Sequence, residues 1–549
     1  MPAARSDKKR IRVIRSLAIA GFSLFWICAG ARLVLAQHQS HESMEIGWVP
    51  REILTKPVTL RQGIGTVHDP VTTSSPEAQA FYDQGVAYLH SFVPIEAARS
   101  FNQALRLDPS LAMAYVGLTD AYLSLQAPPA AHAALEKAER LSANVTGRER
   151  ARITIWARRL EYLDSGANIQ KYFAYRQAIT QAQAVYPDDP WLWIERGLAD
   201  EGNPYAHGQN GGPDTIAFYE KAIALSPDTF VAHHYLEHTL ENLGLTKQAL
   251  EQGEIYARMA PAVAHAQHMY GHELRRLGRT EEAIQQFLKA GQIEDAYYRT
   301  ENIPAKYDWH HAHNLFLLAM CYQSLGQMKA AETVFREAFA EPGYTDLAEF
   351  DRRAWPEFLL SRGRPQEALE ASEELIKSKS PLGRFAGHTM AGRALLEMDR
   401  LEDAKRELAL EEHESEKIPV AVLNTLPGVG QLNAEILLRE KKWDEGNPLM
   451  KQIEQKIDAA VGPDAWSEAL FELESIGRVA RKVGDWDLAE STARMMIQHD
   501  PTYPGGHFLL GYVEEHKGNA AAAQQQFATG DKLWTKADPG LTRPAVQNP

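Results

Sequence analysis

Apolar residues recur along this chain at helical rather than strand spacing. Phe81, Gly85 and Tyr88 fall three or four residues apart, as do Ala97, Phe101 and Ala104 on the following stretch, and Pro109 ends the second run. That period predicts two helices, each with one buried face, and proline cannot continue the second. The same register returns near the carboxy terminus: Gly477, Gly484, Ala489 and Pro501, then Gly511, Gly518, Ala523 and Phe527. Gly484 and Gly518 are 34 residues apart, as are Gly244 and Gly278. Each of these four glycines stands where a first helix must end, and a left-handed residue there lets the chain turn into a second helix. Alanine or glycine at the remaining small positions lets neighbouring helices approach closely, and bulky apolar residues fill the holes between them.

This pattern resembles the 34-residue tetratricopeptide repeat, and the chain is similar to exported bacterial tetratricopeptide proteins whose central repeats are rich in histidine. The resemblance covers about residues 76–537. It implies an all-α fold, a right-handed α-solenoid of about ten to twelve helix hairpins. An amino-terminal block is expected at 76–229, a central histidine-rich block at 230–345 and a carboxy-terminal block at 346–537, with a disordered tail at 538–549. Residues 148–189 keep helical periodicity (Ile153, Ile155, Trp156, Leu160) at an atypical spacing. The period breaks twice more. Residues 202–213, rich in glycine, proline and asparagine, form an insert that cannot hold a helix, and the 48 residues between Gly278 and Gly326 leave an excursion around 297–308. Both breaks are expected to weaken coupling between neighbours, so the array should unfold in blocks.

The chain has 549 residues, too many for one conventional core. Its formal charge of -14 and pI near 5.8 argue against nucleic-acid binding by phosphate neutralisation, which needs a basic patch. None is visible beyond the first fifteen residues. The two cysteines, Cys28 and Cys321, exclude a disulfide framework and a four-cysteine zinc site. Cys321, between Met320 and Tyr322, reads as core. No His-Glu-x-x-His, Gly-x-Ser-x-Gly or phosphate-loop motif occurs. Gly428-Val429-Gly430 lacks a third glycine, since Asn433 stands there, so dinucleotide binding is unsupported. Trp191, Trp193, Trp355, Trp443 and Trp486 fall at or near packing positions; Trp309, beside His310 and His311 in the irregular segment, does not.

Histidine changes the picture. Of 20 histidines, nine lie in residues 233–313, where an even spread would put about three. His234/His238 and His268/His272 have i,i+4 spacing, so each pair shares one helix face. The pairs are offset by 34 residues and therefore occupy the same phase of consecutive repeats. By the resemblance, these four, with His265 and His313 at an earlier phase, face the concave groove. His233 falls at a packing position. The family's basic-and-asparagine clamp for peptide carboxylates is replaced here by histidine. Glu237, Glu241 and Glu273 flank the patch.

Three readings remain open: a polar groove for a protein, peptide or glycan; a metal site for Zn, Cu, Ni or Fe; and an enzyme using the same histidines. The first is preferred: an exported, non-catalytic scaffold binding a protein or peptide in its groove, with no cofactor and no nucleic acid. Its groove candidates are His234, His238, His265, His268, His272, His313, Glu241 and Trp309. The alternative is a metal-binding or metal-dependent protein using a divalent ion such as Zn, Cu or Ni at His234, His238, His268 and His272.

Lys8, Lys9, Arg10, Arg12 and Arg15 precede an apolar run at 17–31, which is short for a membrane span. Small-residue sites follow at 29–31 and 34–36. Cys28 lacks the small residues that precede a lipidated cysteine. Residues 1–36 therefore read as a signal peptide or an amino-terminal anchor, and 37–75 as a linker or arm. The expected location is the periplasm or extracellular space, with membrane contact only through an uncleaved amino terminus. Cleavage leaves 51 basic and 71 acidic side chains. The mature chain is expected to begin at Arg32 or Gln37; amino-terminal sequencing of envelope-derived protein checks this, and intact Met1 in the cytoplasm would refute it.

Overall fold

A computed structural model describes residues 45–543 apart from 167, 202–206, 344, 425, 461–464, 535 and 542. The amino-terminal targeting segment lies outside the described residues. Twelve helix hairpins follow one another among the described residues, from Pro76–Leu89 with Pro94–Leu107 to Pro504–His516 with Ala520–Leu533. Local signals start many of the helices. The Ser75 and Thr146 side chains accept from the backbone three residues on, and Glu149 completes a capping box. The turn glycines Gly244, Gly278, Gly326, Gly484 and Gly518 have φ between +70° and +80°.

Hairpins pack by seating a ring where a glycine leaves room. A Cβ at Gly85 would lie 2.5 Å from the Phe101 ring, and one at Gly117 2.3 Å from it. Phe101 is fully buried between its own hairpin and the next, which stabilises the pair by about 1.5–3 kcal/mol. No described helix is long and apolar enough to cross a membrane.

The array is closed by contacts that the repeat does not encode. Residues expected to be a linker form a strap. Trp48 Nε1 donates to the Tyr307 carbonyl at 3.3 Å, Ala262 N donates to the Gly63 carbonyl at 2.8 Å, and Thr72 N donates to Glu149 at 2.8 Å. Lys56 donates to the Glu301 carbonyl, and buried Arg99 pairs with Glu96 and, at 2.7 Å, with Glu301. Asp69 is fully buried; it accepts from Tyr82 at 2.7 Å and from Arg148 and Arg152 at 2.6 Å each.

The carboxy-terminal hairpins return to the centre. Arg275 pairs with Asp500 at 2.9 Å, and Arg353 with Glu472 at 2.7 Å. Asp538 N donates to the Gly326 carbonyl at 3.0 Å, while its carboxylate accepts from Lys329 N at 2.9 Å. The start of the expected disordered tail is thus tied down.

The 297–308 excursion differs from expectation, whereas the described residues 207–212 of the insert hold no helix, as expected. The helix Thr280–Glu301 runs through the first part of the 297–308 excursion, because no breaker occurs before Asn302, which is left-handed, and Pro304. The rest is pinned by the strap through Trp48 and is no loose boundary. Of the 202–213 insert, residues 202–206 lie outside the described residues. Gly208 N and Asn210 N donate to the Glu201 carboxylate at 2.9 and 3.2 Å, and Asn242 Nδ2 donates to the Gln209 carbonyl at 2.7 Å.

Burial pushes the Asp69 carboxyl up, but Arg152 and Arg148 outweigh it and hold the group below its usual value. Its stabilising contribution is therefore complete above about pH 4 and is lost as pH falls through the lowered native value. Asp69→Ala strands Arg152, while Arg148 keeps Asp189, and is expected to cost about 3–5 kcal/mol. Urea titrations at neutral pH measure the loss, and the gap between variant and wild type should close in acid.

Candidate metal centre

Three helices supply the histidines. Val231–Asn242 carries His234 and His238, Ala264–Arg276 carries His265, His268 and His272, and Trp309–Ser324 carries His310, His311 and His313. They meet as two trios. In the first, His234 Nε2 lies 3.1 Å from His238 Nε2 and 3.0 Å from His265 Nε2. In the second, His272 Nε2 lies 2.9 Å from His268 Nε2, and His313 completes the group. The donor atoms of each trio all fall within 4.8 Å of one another. One ion with bonds of about 2.0–2.1 Å at right-angled to tetrahedral geometry would hold its nitrogens about 2.9–3.4 Å apart.

The outward-facing nitrogens decide what these inner ones can be. His234 Nδ1 lies 2.7 Å from the His90 carbonyl, which can only accept, so Nδ1 carries the hydrogen and Nε2 is a bare lone pair. Asn314 Nδ2 donates to the Phe287 carbonyl at 3.0 Å, which leaves its Oδ1 to accept from His268 Nδ1 at 3.0 Å. Glu241 stands behind both trios, 3.8 Å from His238 Nδ1, 3.5 Å from His272 Nδ1 and 3.2 Å from Arg276. The Glu241 carboxylate is a nearby anion rather than a hydrogen-bond acceptor for these two rings, and the outer nitrogens of His238 and His265 have no hydrogen-bond partner among the described residues. A cation among these nitrogens would engage the bare pairs of His234 and His268 together with their neighbours.

Electrostatics fit that arrangement. Burial, reinforced by neighbouring imidazoles, holds His234, His265 and His268 well below the ordinary histidine value, in the neutral form a metal requires. Burial pushes Glu241 up, but His238, His272 and Arg276 bring it down to about 2. Glu294 is likewise pushed up by burial and lowered overall by His310 and His311, which both bind it through Nδ1. Two buried anions therefore back a neutral imidazole cluster. Glu237 and Glu273 are raised well above the carboxylate range by burial and by nearby carboxylates.

The expectation of histidines open to a groove needs correction. His234, His238, His265, His268 and His272 are buried, and His313 is half-buried. The first hairpin covers the first trio. The Phe92 ring lies edge-on 4.7 Å from His234, tilted 4.9 Å from His265 and stacked 5.9 Å from His238, centroid to centroid. Trp309 donates to the Phe92 carbonyl at 3.1 Å and packs 5.7 Å from His313. His233 binds Gln252 at 2.7 Å in a packing role, and Cys321 is buried, its thiol pushed up to about 12 by burial.

Sequence reasoning missed His90, Phe92, Glu294 and Asn314, and it left His310 without a role. The His310 ring lies 4.5 Å from His268 and 5.3 Å from His265; its Nδ1 binds Glu294, and its buried Nε2 has no hydrogen-bond partner. One signal was readable. Phe92 occupies the turn phase where this repeat wants glycine, and it adopts φ +57° there, a strained choice for a side-chain-bearing residue.

The tetratricopeptide-repeat family model matches residues 264–296 and 312–340, the hairpins that carry His265, His268, His272 and His313. No curated protein matches. Among solved structures, the human IFIT1 dimer with PPP-AAAA is 15% identical, covering 82% of this chain and 89% of that chain, with a TM-score of 0.35. An IFIT1 monomeric mutant with Gppp-AAAA is 13% identical, covering 84% and 92%, with a TM-score of 0.33. With two repeats matched by the family model and the same hairpin repeated on either side of them, the chain is a tetratricopeptide-repeat protein.

Proposed function

We propose that this protein binds metal, each histidine trio holding one divalent transition-metal ion of the kind that suits imidazole: zinc, copper or nickel. The observation that carries this reading is the convergence of three histidine nitrogens in each trio, with one ring of each, His234 and His268, presenting a bare Nε2 because its outer nitrogen is committed to an acceptor. His234, His238 and His265 would hold one ion, and His268, His272 and His313 the other. Glu241, Asn314 and the His90 carbonyl would orient them from behind, as outer partners of ligating imidazoles do. Three protein nitrogens leave a coordination position for water or a small molecule.

The repeat architecture itself favours a second reading, an exported scaffold for a protein or peptide. Over the histidine stretch, however, Phe92 and the first hairpin already occupy the inner surface, so such a partner would bind elsewhere along the array.

Elemental analysis of protein purified from metal-supplemented cells is expected to find two ions per chain. His268→Ala with His272→Ala should retain one, because the first trio is untouched. No metal in the purified protein and no uptake by calorimetric titration with Zn, Cu and Ni would sink the reading. Ions binding only the native state add about 2.7 kcal/mol each at a hundredfold excess over Kd. A chelator should therefore lower the melting temperature of wild type more than that of the double variant.

A further inference from the structure

A cavity of about 380 Å³ adjoins the second trio. His313 is at once the third nitrogen of that trio and part of the cavity wall. Most of the remaining wall is apolar and aromatic, with Phe92, Trp309, Phe316, Phe339 and Trp355 presenting ring surface to it. Packed protein interiors leave few voids larger than one water molecule, and an apolar void gives water few polar partners. The volume lies in the range of small-molecule sites, which are mainly apolar with a few convergent polar groups. Several polar residues also line it, His207, Gln209, Asp351, Arg352 and Glu468 among them, and His313 is the one that is a candidate metal ligand. The outer rim is the short helix Asp346–Asp351, where Ala348 lines the cavity and is half-buried.

We infer that this cavity binds a small aromatic molecule carrying one oxygen donor, a phenol in chemical class, with its ring against the aromatic wall and its oxygen on the open position of the metal held by His268, His272 and His313. The inference rests on the proposed metal reading. Rings are favoured over a flexible chain because stacked and edge-on ring contacts add to simple burial. A rigid ring also loses less conformational freedom on binding. The oxygen gives direction, because a metal ligand lies in the wall only at the His313 end.

The test uses the full chain, 1-naphthol as probe and naphthalene as the oxygen-free control. Calorimetric titration is run on metal-free and Co(II)-loaded protein, with cobalt content measured on the same samples. Naphthol is expected to bind at least about tenfold tighter once cobalt is present and to shift the visible cobalt bands, while naphthalene should bind both forms equally. Ala348→Trp, which fills the cavity from its rim and leaves the histidines alone, should abolish naphthol binding at unchanged cobalt content and helical circular dichroism.

Cobalt uptake without naphthol binding overturns this inference and leaves the metal reading standing. So does equal binding with and without cobalt, or naphthol binding that survives Ala348→Trp. A protein that takes up no metal overturns both the metal reading and the proposed oxygen contact. The cavity part is then decided by naphthol binding to wild type against Ala348→Trp.

Discussion

A buried imidazole has two nitrogens and no water to satisfy either of them. Leaving one unanswered costs about 1–3 kcal/mol, and five of the six trio histidines are buried. The protein answers the outer nitrogens of His234 and His268 with the His90 carbonyl and Asn314 Oδ1. It sets Glu241 opposite those of His238 and His272. The His90 carbonyl and Asn314 Oδ1 fix the tautomers of His234 and His268 and leave their Nε2 atoms bare. The inner nitrogens are left facing one another at 2.9–3.1 Å, an arrangement that a shared cation would satisfy.

That constraint depends on closure of the superhelix. A repeat array by itself leaves its inner surface open to water, where imidazoles would need no such care. Here the strap and the first hairpin cover the central hairpins, drawn in by Arg99 with Glu96 and Glu301, and by Asp69 with Arg148 and Arg152. Buried ion pairs of this kind add little net stability over apolar packing, but breaking one is costly. Together they dictate where the strap lies. Phe92 gives up about 1–2 kcal/mol to sit in a left-handed turn, and in return its ring seals three imidazoles from solvent.

The hairpins were legible because everything that makes a hairpin is local. The small residue on the first helix, the turn glycine and the proline after the second helix lie within one 34-residue period. The phase of the histidines was legible for the same reason: His234 and His268, or His238 and His272, differ by one period. What the period could not carry was contact between residues far apart in sequence. His90 meets His234 across 144 positions and Phe92 meets Trp309 across 217. A rule that joins each hairpin to its neighbours contains neither contact. The groove assignment failed on solvent, because Phe92 of the first hairpin lies against His234, His238 and His265 and these rings are buried. A side chain in place of the turn glycine is no signal by itself, since Gln126, Asp399 and Lys441 do the same in other hairpins; what sets Phe92 apart is that the side chain is a ring.

The two trios cannot be adjusted separately. His265 belongs to one and His268 to the other, yet they lie one turn apart on the Ala264–Arg276 helix. Rotating that helix to improve one set of nitrogens moves the other set in the same sense. Glu241 adds a second link, since one carboxylate faces both His238 and His272 and cannot approach one without leaving the other. Arg276, on that same helix, holds the carboxylate at 3.2 Å. Helix, anion and counter-charge therefore form one rigid unit, and the geometry of either site is a property of the pair.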